Sequence, residues 1–522
     1  MKFFWLLIFL PTLLFSDAVP VLSKGRIRPL HIHAEQWLYD TYASETHPSV
    51  SSAEEFLWLL TLNGHEAWDD VPLFHLNKKV RQELRLETQY ATYNQLTGVI
   101  AQVEQPSKDL QRLTLRLTEY QRFGEVNPDP KVPMAQSAYG MNVLPSRQDL
   151  GTWLPLNTLA LSQYNTTAYS NEVWKQITQI YQELRKSYKP ELVESLTVLL
   201  ASSYKSIEGK PYRVGTHSEL RLPSQWQLNA ESLYYRYPWI EITLLLYGLA
   251  IPLLIFKPRW GVWVFVAAFL VHSWILGLRC FILGRPPVSN MFETIAYVPW
   301  IAVLLGWSLW IAKRQRGPLI ASGCVAFLLL MLISLTYPRH ELENIQAVLN
   351  SQYWLIIHVL MVVGSYGAFI LSGIIAHYAL IKRLWYPPSL ETQWILTTLY
   401  IGVILLIGGT ILGGVWAAQS WGRFWDWDPK ESWAFISSCL YLIVIHAYRF
   451  GKIRDIGLAI GAIIGLQAIT FTWYGVNYIL GVGLHSYGFG HGGELFYALF
   501  VVGELIFVTT LAILHKKRTI YS

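Results

Sequence analysis

Beyond residue 237 the apolar positions stop alternating with polar ones and run on. They fall in nine stretches, at about 238–256, 261–283, 293–312, 318–337, 354–382, 395–416, 430–449, 456–475 and 494–514. Each is long enough to cross about 30 Å of hydrocarbon as a helix, a structure that satisfies its own backbone in lipid. Residues 17–236 differ. Segments such as NKKVRQELRLETQYATYNQL and SNEVWKQITQIYQELRKSY set apolar residues at helical spacing among polar ones, and Pro-rich punctuation such as NPDPKVP separates them. That pattern predicts a mostly helical soluble domain, large enough for its own core. Residues 1–16, MKFFWLLIFLPTLLFS, put one Lys ahead of a short apolar run. They read as a signal peptide or N-terminal anchor, which makes the 17–236 domain extracytoplasmic. The expected fold class is an all-α polytopic membrane protein with about nine transmembrane helices in residues 237–522.

Charge orients the spans. KPRW at 257, AKRQRG at 312, IKRLW at 381, YRFGKIR at 448 and HKKR at 515 fall on alternate ends, which are therefore cytoplasmic. The opposite ends are GRPPVSNMFE, YPRHELENIQ, WGRFWDWDPKESWAF (421–435) and NYILGVGLHSYGFGHGG, and they share the side of the soluble domain. Charged residues make up only 15% of the chain against roughly 25% in soluble domains, which agrees with a lipid environment. The net charge of +6 is assigned to the cytoplasmic loops, so no nucleic-acid partner is expected. Cys280, Cys324 and Cys439 lie in or beside apolar segments and form no C-x-x-C, which argues against a disulfide framework, a zinc site or haem bound covalently to this chain. In the soluble part, His31 and His33 are two apart; on a strand they would share a face and could bind a metal.

The stretch 421–435 holds four tryptophans, two aspartates, an arginine and a lysine. Its second half is a helix start, with Asp428 as N-cap, Pro429 first in the helix and Glu431 three residues after the cap. Residues 421–427 then form a platform before the seventh span, in which Trp421 and Trp425 share a face if the segment is helical. An aromatic belt at the membrane surface accounts for tryptophans in general. The clustered rings, with Gly422 allowing close approach, also suit a large planar ligand with polar edges, such as haem. His358 and His485 lie on the same side of the membrane as the Trp stretch, and two imidazoles can hold one haem iron from opposite faces. His340 and His491 are nearby alternatives. Deeper in the membrane, His272 and His446 form a candidate second pair, with His377 close to the inner end of its span.

WGRFWDWDPKESWAF resembles the tryptophan-rich WWD signature of haem-handling proteins, and its D-P-K-E-x-W-A form is most similar to CcsA, the integral-membrane half of the System II cytochrome c synthase. GRPPVSNMFE, IIHVLMVVGSYGAF and GLHSYGF also resemble CcsA segments, so the likeness covers residues 238–522. It implies delivery of haem b across a bacterial inner (plasma) membrane and its covalent attachment, as a haem lyase, to the C-x-x-C-H segment of apocytochrome c outside. By the same resemblance His358 and His485 are the external axial ligands. Trp421, Gly422, Trp425, Asp426, Trp427, Asp428 and Trp433 shape the external site, and His446 matches the membrane histidine that follows the WWD loop. The ligand opposite His446 comes in fused family members from a CcsB half. Here the part before residue 237 lacks the several spans of that half, and GRIRPLHIHAEQW is only weakly similar to the outer domain of such fusions. The resemblance therefore implies a CcsB/ResB-like membrane partner, or else His272 in its place. Two other classes stay open: a haem transporter or chaperone without ligation, like CcmC and CcmF, and a scaffold without haem whose Trp stretch is only a belt.

Overall fold

The computed structural model describes residues 17–121, 123, 141–160, 165–214, 218–337, 342, 352–386, 391–481 and 493–521. The signal-like segment 1–16 lies outside them. The chain divides into two compact units, Met1–Tyr237 and Pro238–Ser522.

The first unit is mostly helical among its described residues, from Leu30–Tyr42 to Gln225–Arg236, but it also contains short antiparallel strand pairs. Pro20–Ser23 pairs with Arg26–Pro29 through Lys24 and Gly25, whose φ angles of 49° and 74° form the two-residue turn that suits twisted strands. Serine and threonine caps start the helices: Ser52 accepts from Glu55 N, and Thr92 and Ser224 form full capping boxes. The core is aromatic, with Trp37 stacked on Phe56 at 5.8 Å and edge-on to Phe123 at 5.3 Å. The strand that would have aligned His31 and His33 is absent at those positions. Both lie in the helix Leu30–Tyr42, where residues two apart point to different faces, so the shared metal face does not form. His33 is instead a core residue. Burial lowers its pKa to about 3, and the Arg28 and Lys24 charges add to the effect.

Among the described residues of the second unit, nine helices are long and apolar enough to cross a membrane: α1 Trp239–Phe256, α2 Pro258–Leu283, α3 Met291–Lys313, α4 Gly317–Thr336, α5 Ile356–Lys382, α6 Glu391–Ser420, α7 Pro429–Arg449, α8 Asp455–Leu480 and α9 Glu494–Lys516. They coincide with the nine apolar stretches. Helices α3, α5 and α6 pack by omission of side chains. A Cβ at Gly367 would meet the Val298 carbonyl oxygen at 2.6 Å, one at Gly402 the Phe369 ring at 2.5 Å, and one at Gly409 a Val362 methyl at 2.7 Å. Two segments widen to π-helix, Leu355–Val359 at the start of α5 and Phe471–Leu480 at the end of α8.

The link between α2 and α3 explains the motif GRPPVSNMFE. Gly284, at φ 65°, ends α2, and Asn290 caps α3 by accepting from Glu293 N at 2.9 Å. Glu293 is fully buried. Arg279 donates to one of its carboxylate oxygens at 2.9 Å, and Arg285 to the other at 2.9 Å. The Ser289 backbone N–H and hydroxyl add bonds of 2.9 and 2.7 Å to that second oxygen, while the Arg279 guanidinium lies 4.6 Å from the Phe292 ring centre. A carboxylate removed from water is stable only when its lone pairs are all used.

Two outcomes test these contacts. Glu293→Gln leaves two buried guanidinium groups against a neutral amide and is expected to cost about 3 kcal/mol. Thermal unfolding of the purified protein in detergent measures it, and an unchanged midpoint would exclude a stabilising role. For His33 the folded pKa of about 3 lies below the ordinary 6.5, so between those values the unfolded chain binds the extra proton. Stability is therefore complete above pH 6.5 and falls as the pH drops towards 3, by about 1.4 kcal/mol per pH unit. His33→Phe should flatten that slope when urea unfolding of the first unit in the whole chain is compared at several acidic pH values.

Candidate ligand cavity at one end of the membrane bundle

The N-terminal ends of α3, α5 and α7 and the C-terminal ends of α6 and α8 surround a cavity of about 1100 Å³, its open mouth included. The basic-loop pattern assigned these helix ends to one side of the membrane, and the structure gathers them around one space. Most of the wall is apolar. Tyr366 comes from α5, Trp416 from α6, Trp425 from the loop before α7, and Trp473 from α8.

His358 is the imidazole in this wall. It stands in the wide turn Leu355–Val359. Its Nδ1–H donates to the Gly409 carbonyl oxygen at 2.7 Å. A carbonyl only accepts, so the neutral ring carries its proton on Nδ1 and its lone pair on Nε2. Histidines that hold a metal commonly have this arrangement, the second nitrogen being fixed by a backbone carbonyl. The ring rests on Gly413, where a Cβ would come to 2.5 Å from Cε1, and Trp416 meets it edge-on at 5.9 Å. Two glycines of α6 thus set the ring's position, one by its carbonyl and one by its missing side chain.

The Trp stretch is not a flat platform. Helix α6 continues to Trp421 and ends at Gly422, whose φ is +73°. Residues 423–428 are irregular, so Trp421 and Trp425 do not share a helical face. Trp425 lines the cavity, whereas Trp427 is 69% exposed and meets Trp425 at 85° between ring planes. Trp433 packs on Phe471 of α8 at 4.3 Å. Asp426 is exposed and paired with Arg423 at 2.7 Å. Asp428 is the expected N-cap, buried, and its capping box with Glu431 is complete. Glu431 also accepts from Asp426 N at 3.0 Å, which ties the loop to the first turn of α7.

Several residues of the cavity were not singled out in the sequence: Tyr366, Trp416, Trp473, Lys430, Asn477, Gly409 and Gly413. The doublets in GGTILGG at 408–414 were the available signal for close helix contact beside a ligand. Lys430 Nζ donates to Asn477 Oδ1 at 2.9 Å, and Asn477 Nδ2 donates to the Trp473 carbonyl at 2.9 Å. The Trp425 indole N–H is buried with no acceptor among the described residues.

The other histidines fall elsewhere. His485, His340 and His491 lie outside the described residues. His446 is on an exposed face of α7, and its Nδ1–H donates to the Leu442 carbonyl at 2.7 Å. His272 differs from the expectation of a membrane ligand. It is fully buried, its Nε2–H donates to the Ala296 carbonyl at 2.9 Å, and the Tyr247 hydroxyl stands 3.5 Å from Nδ1. Both ring nitrogens are engaged in helix packing. His377 bonds to the Gly373 carbonyl at 2.7 Å and to Glu504 of α9 at 2.8 Å.

Fold and site together define a polytopic helical membrane protein with an aromatic cavity and a carbonyl-fixed histidine at one end of the bundle. The family model described as cytochrome c assembly protein matches residues 288–485, which contain nearly all of the cavity wall. The cytochrome c biogenesis protein CcsA of Prochlorococcus marinus subsp. pastoris is 30% identical over 264 residues, covering 44% of this chain and 81% of that protein. CcsA of Arabidopsis thaliana is 26% identical over 277 residues, 43% of this chain and 82% of the relative. Protein NrfI of Wolinella succinogenes is 27% identical over 513 residues, 91% of this chain, and the chain spans about half (54%) of NrfI's length. The chain belongs to the CcsA-type cytochrome c biogenesis family.

Proposed function

We propose that this chain acts in cytochrome c biogenesis by holding haem in the cavity and presenting it for covalent attachment to apocytochrome c, at the extracytoplasmic face of a bacterial plasma membrane. The observation that carries the reading is His358, an imidazole of fixed tautomer in the wall of an open aromatic cavity. Haem matches that space in chemistry: a flat apolar ring for Tyr366, Trp416, Trp425 and Trp473, and an iron for a nitrogen lone pair. His485 is the proposed opposite ligand, supplied by the loop between α8 and α9.

The attachment adds two cysteine thiols of the C-x-x-C-H segment across the two vinyl groups of haem. The apoprotein brings both nucleophiles, so the tasks left to this chain are orientation and exclusion of water. Within the membrane, His446 is the proposed ligand on this chain. Its exposed face and the engagement of both nitrogens of His272 favour a second ligand from a CcsB/ResB-like partner.

His358→Ala is expected to remove most of the Soret absorbance of the purified protein and to abolish maturation of a cytochrome c reporter in a host lacking its own assembly system. Added imidazole should restore part of both. Gly413→Val, which drives a side chain into the ring, should give the same loss. Wild-type maturation in His358→Ala refutes the assignment, and haem retention without maturation in the wild type identifies a carrier instead of a lyase. His446→Ala is expected to lower the haem that copurifies, while His272→Gln keeps it. A normal haem yield in His446→Ala excludes the membrane step.

A further inference from the structure

The polar groups of the cavity wall include two donors, on Lys430 and Trp425. Lys430 is the cation in that wall, at the second position of α7. Its Nζ is held by the neutral amide oxygen of Asn477 at 2.9 Å, and it makes no ion pair among the described residues. The nearby carboxylates bond to the backbone, and the Asp428 charge still attracts the ammonium. Asp428 accepts from Lys430 N at 2.9 Å, and Glu431 accepts from Asp426 N and Asp428 N at 3.0 and 3.3 Å. The second donor is the buried indole N–H of Trp425, which has no acceptor among the described residues. Lys430 is half-buried, and buried donors such as the Trp425 N–H are ordinarily bonded. The Arg279–Glu293–Arg285 cluster shows the same bundle meeting that requirement internally. Lys430 has only a neutral acceptor, and a group that enters the cavity could serve its remaining donors and the Trp425 N–H.

We propose that Lys430 and the Trp425 Nε1–H form an anion-binding corner that takes a carboxylate of the bound ligand. Resting on the haem reading above, that carboxylate is a haem propionate. The propionates and the vinyl groups occupy different edges of the macrocycle. Holding the carboxylate edge at Lys430 therefore turns the vinyl edge away from it and leaves only the two orientations related by a flip about the propionate axis. Asn477, anchored on the Trp473 carbonyl inside the wide turn of α8, keeps the lysine over the cavity.

Haem-depleted protein titrated with haem and with haem dimethyl ester, whose propionates are uncharged, tests the corner. The readout is the Soret signal that His358→Ala removes. Wild type should bind haem at least about tenfold more tightly than the ester, the factor expected from one charge-assisted hydrogen bond in a dry site. Lys430→Met should lose that preference, Lys430→Arg should keep it, and Trp425→Phe should lose part of it while keeping the ring. Equal wild-type affinities for haem and ester overturn the proposal without reference to any variant, and so does a full preference in Lys430→Met. If His358→Ala removes no Soret signal, the haem reading of the cavity fails, and the propionate assignment falls with it. A His358-dependent signal that ignores the propionates rejects the corner alone.

Discussion

The hydrogen bond from His358 to the Gly409 carbonyl is possible only because α5 and α6 touch almost without side chains between them. A backbone carbonyl in the middle of a helix is normally screened by its neighbours. Here Gly409 and Gly413 leave it open, and an imidazole occupies the gap. Small residues that in many membrane proteins serve only to bring helices together also prepare a ligand nitrogen in this chain.

Polar groups within the bundle fall into two kinds. Some are closed: Glu293 has four described donors, His272 is spanned by Ala296 and Tyr247, and Thr472 bonds to Ser437 and to the Trp433 carbonyl. These hold the helices in register. Others lack a partner among the described residues: the Trp425 indole N–H at the cavity, and the Trp394 indole N–H and the Gln467 amide away from it.

The membrane helices were legible because a 20-residue apolar run has few alternatives in lipid, and the cap of α7 was legible because Asp428, Pro429 and Glu431 each have a local role. The strand pairs of the first unit were not. They are two to four residues long, and only the turn at Lys24 and Gly25 marks one of them. His358 was legible by type and depth, but its partner Gly409 is 51 residues away. The same holds for Lys430 and Asn477, 47 residues apart. The Trp stretch misled in one respect. Clustering in sequence suggested a coplanar surface, whereas the chain reverses at Gly422 and adopts φ 56° at Trp427, which splays the rings. The aromatic walls come instead from four separate segments, a distribution that no local pattern records.

The two wide turns both line the cavity, one carrying His358 and the other Trp473 and Asn477. A π turn is an α-helix that has absorbed an extra residue. Its side chains are rotated relative to the helix on either side, while the packed faces beyond it keep their register. A membrane bundle with ordinary helices could therefore acquire such a cavity by single-residue insertions near helix ends, without redesign of its core. Read in reverse, the lengths of these two segments are as much a part of the binding site as their side chains. A one-residue deletion in either would return a regular helix that still spans the membrane but presents a different face to whatever it holds.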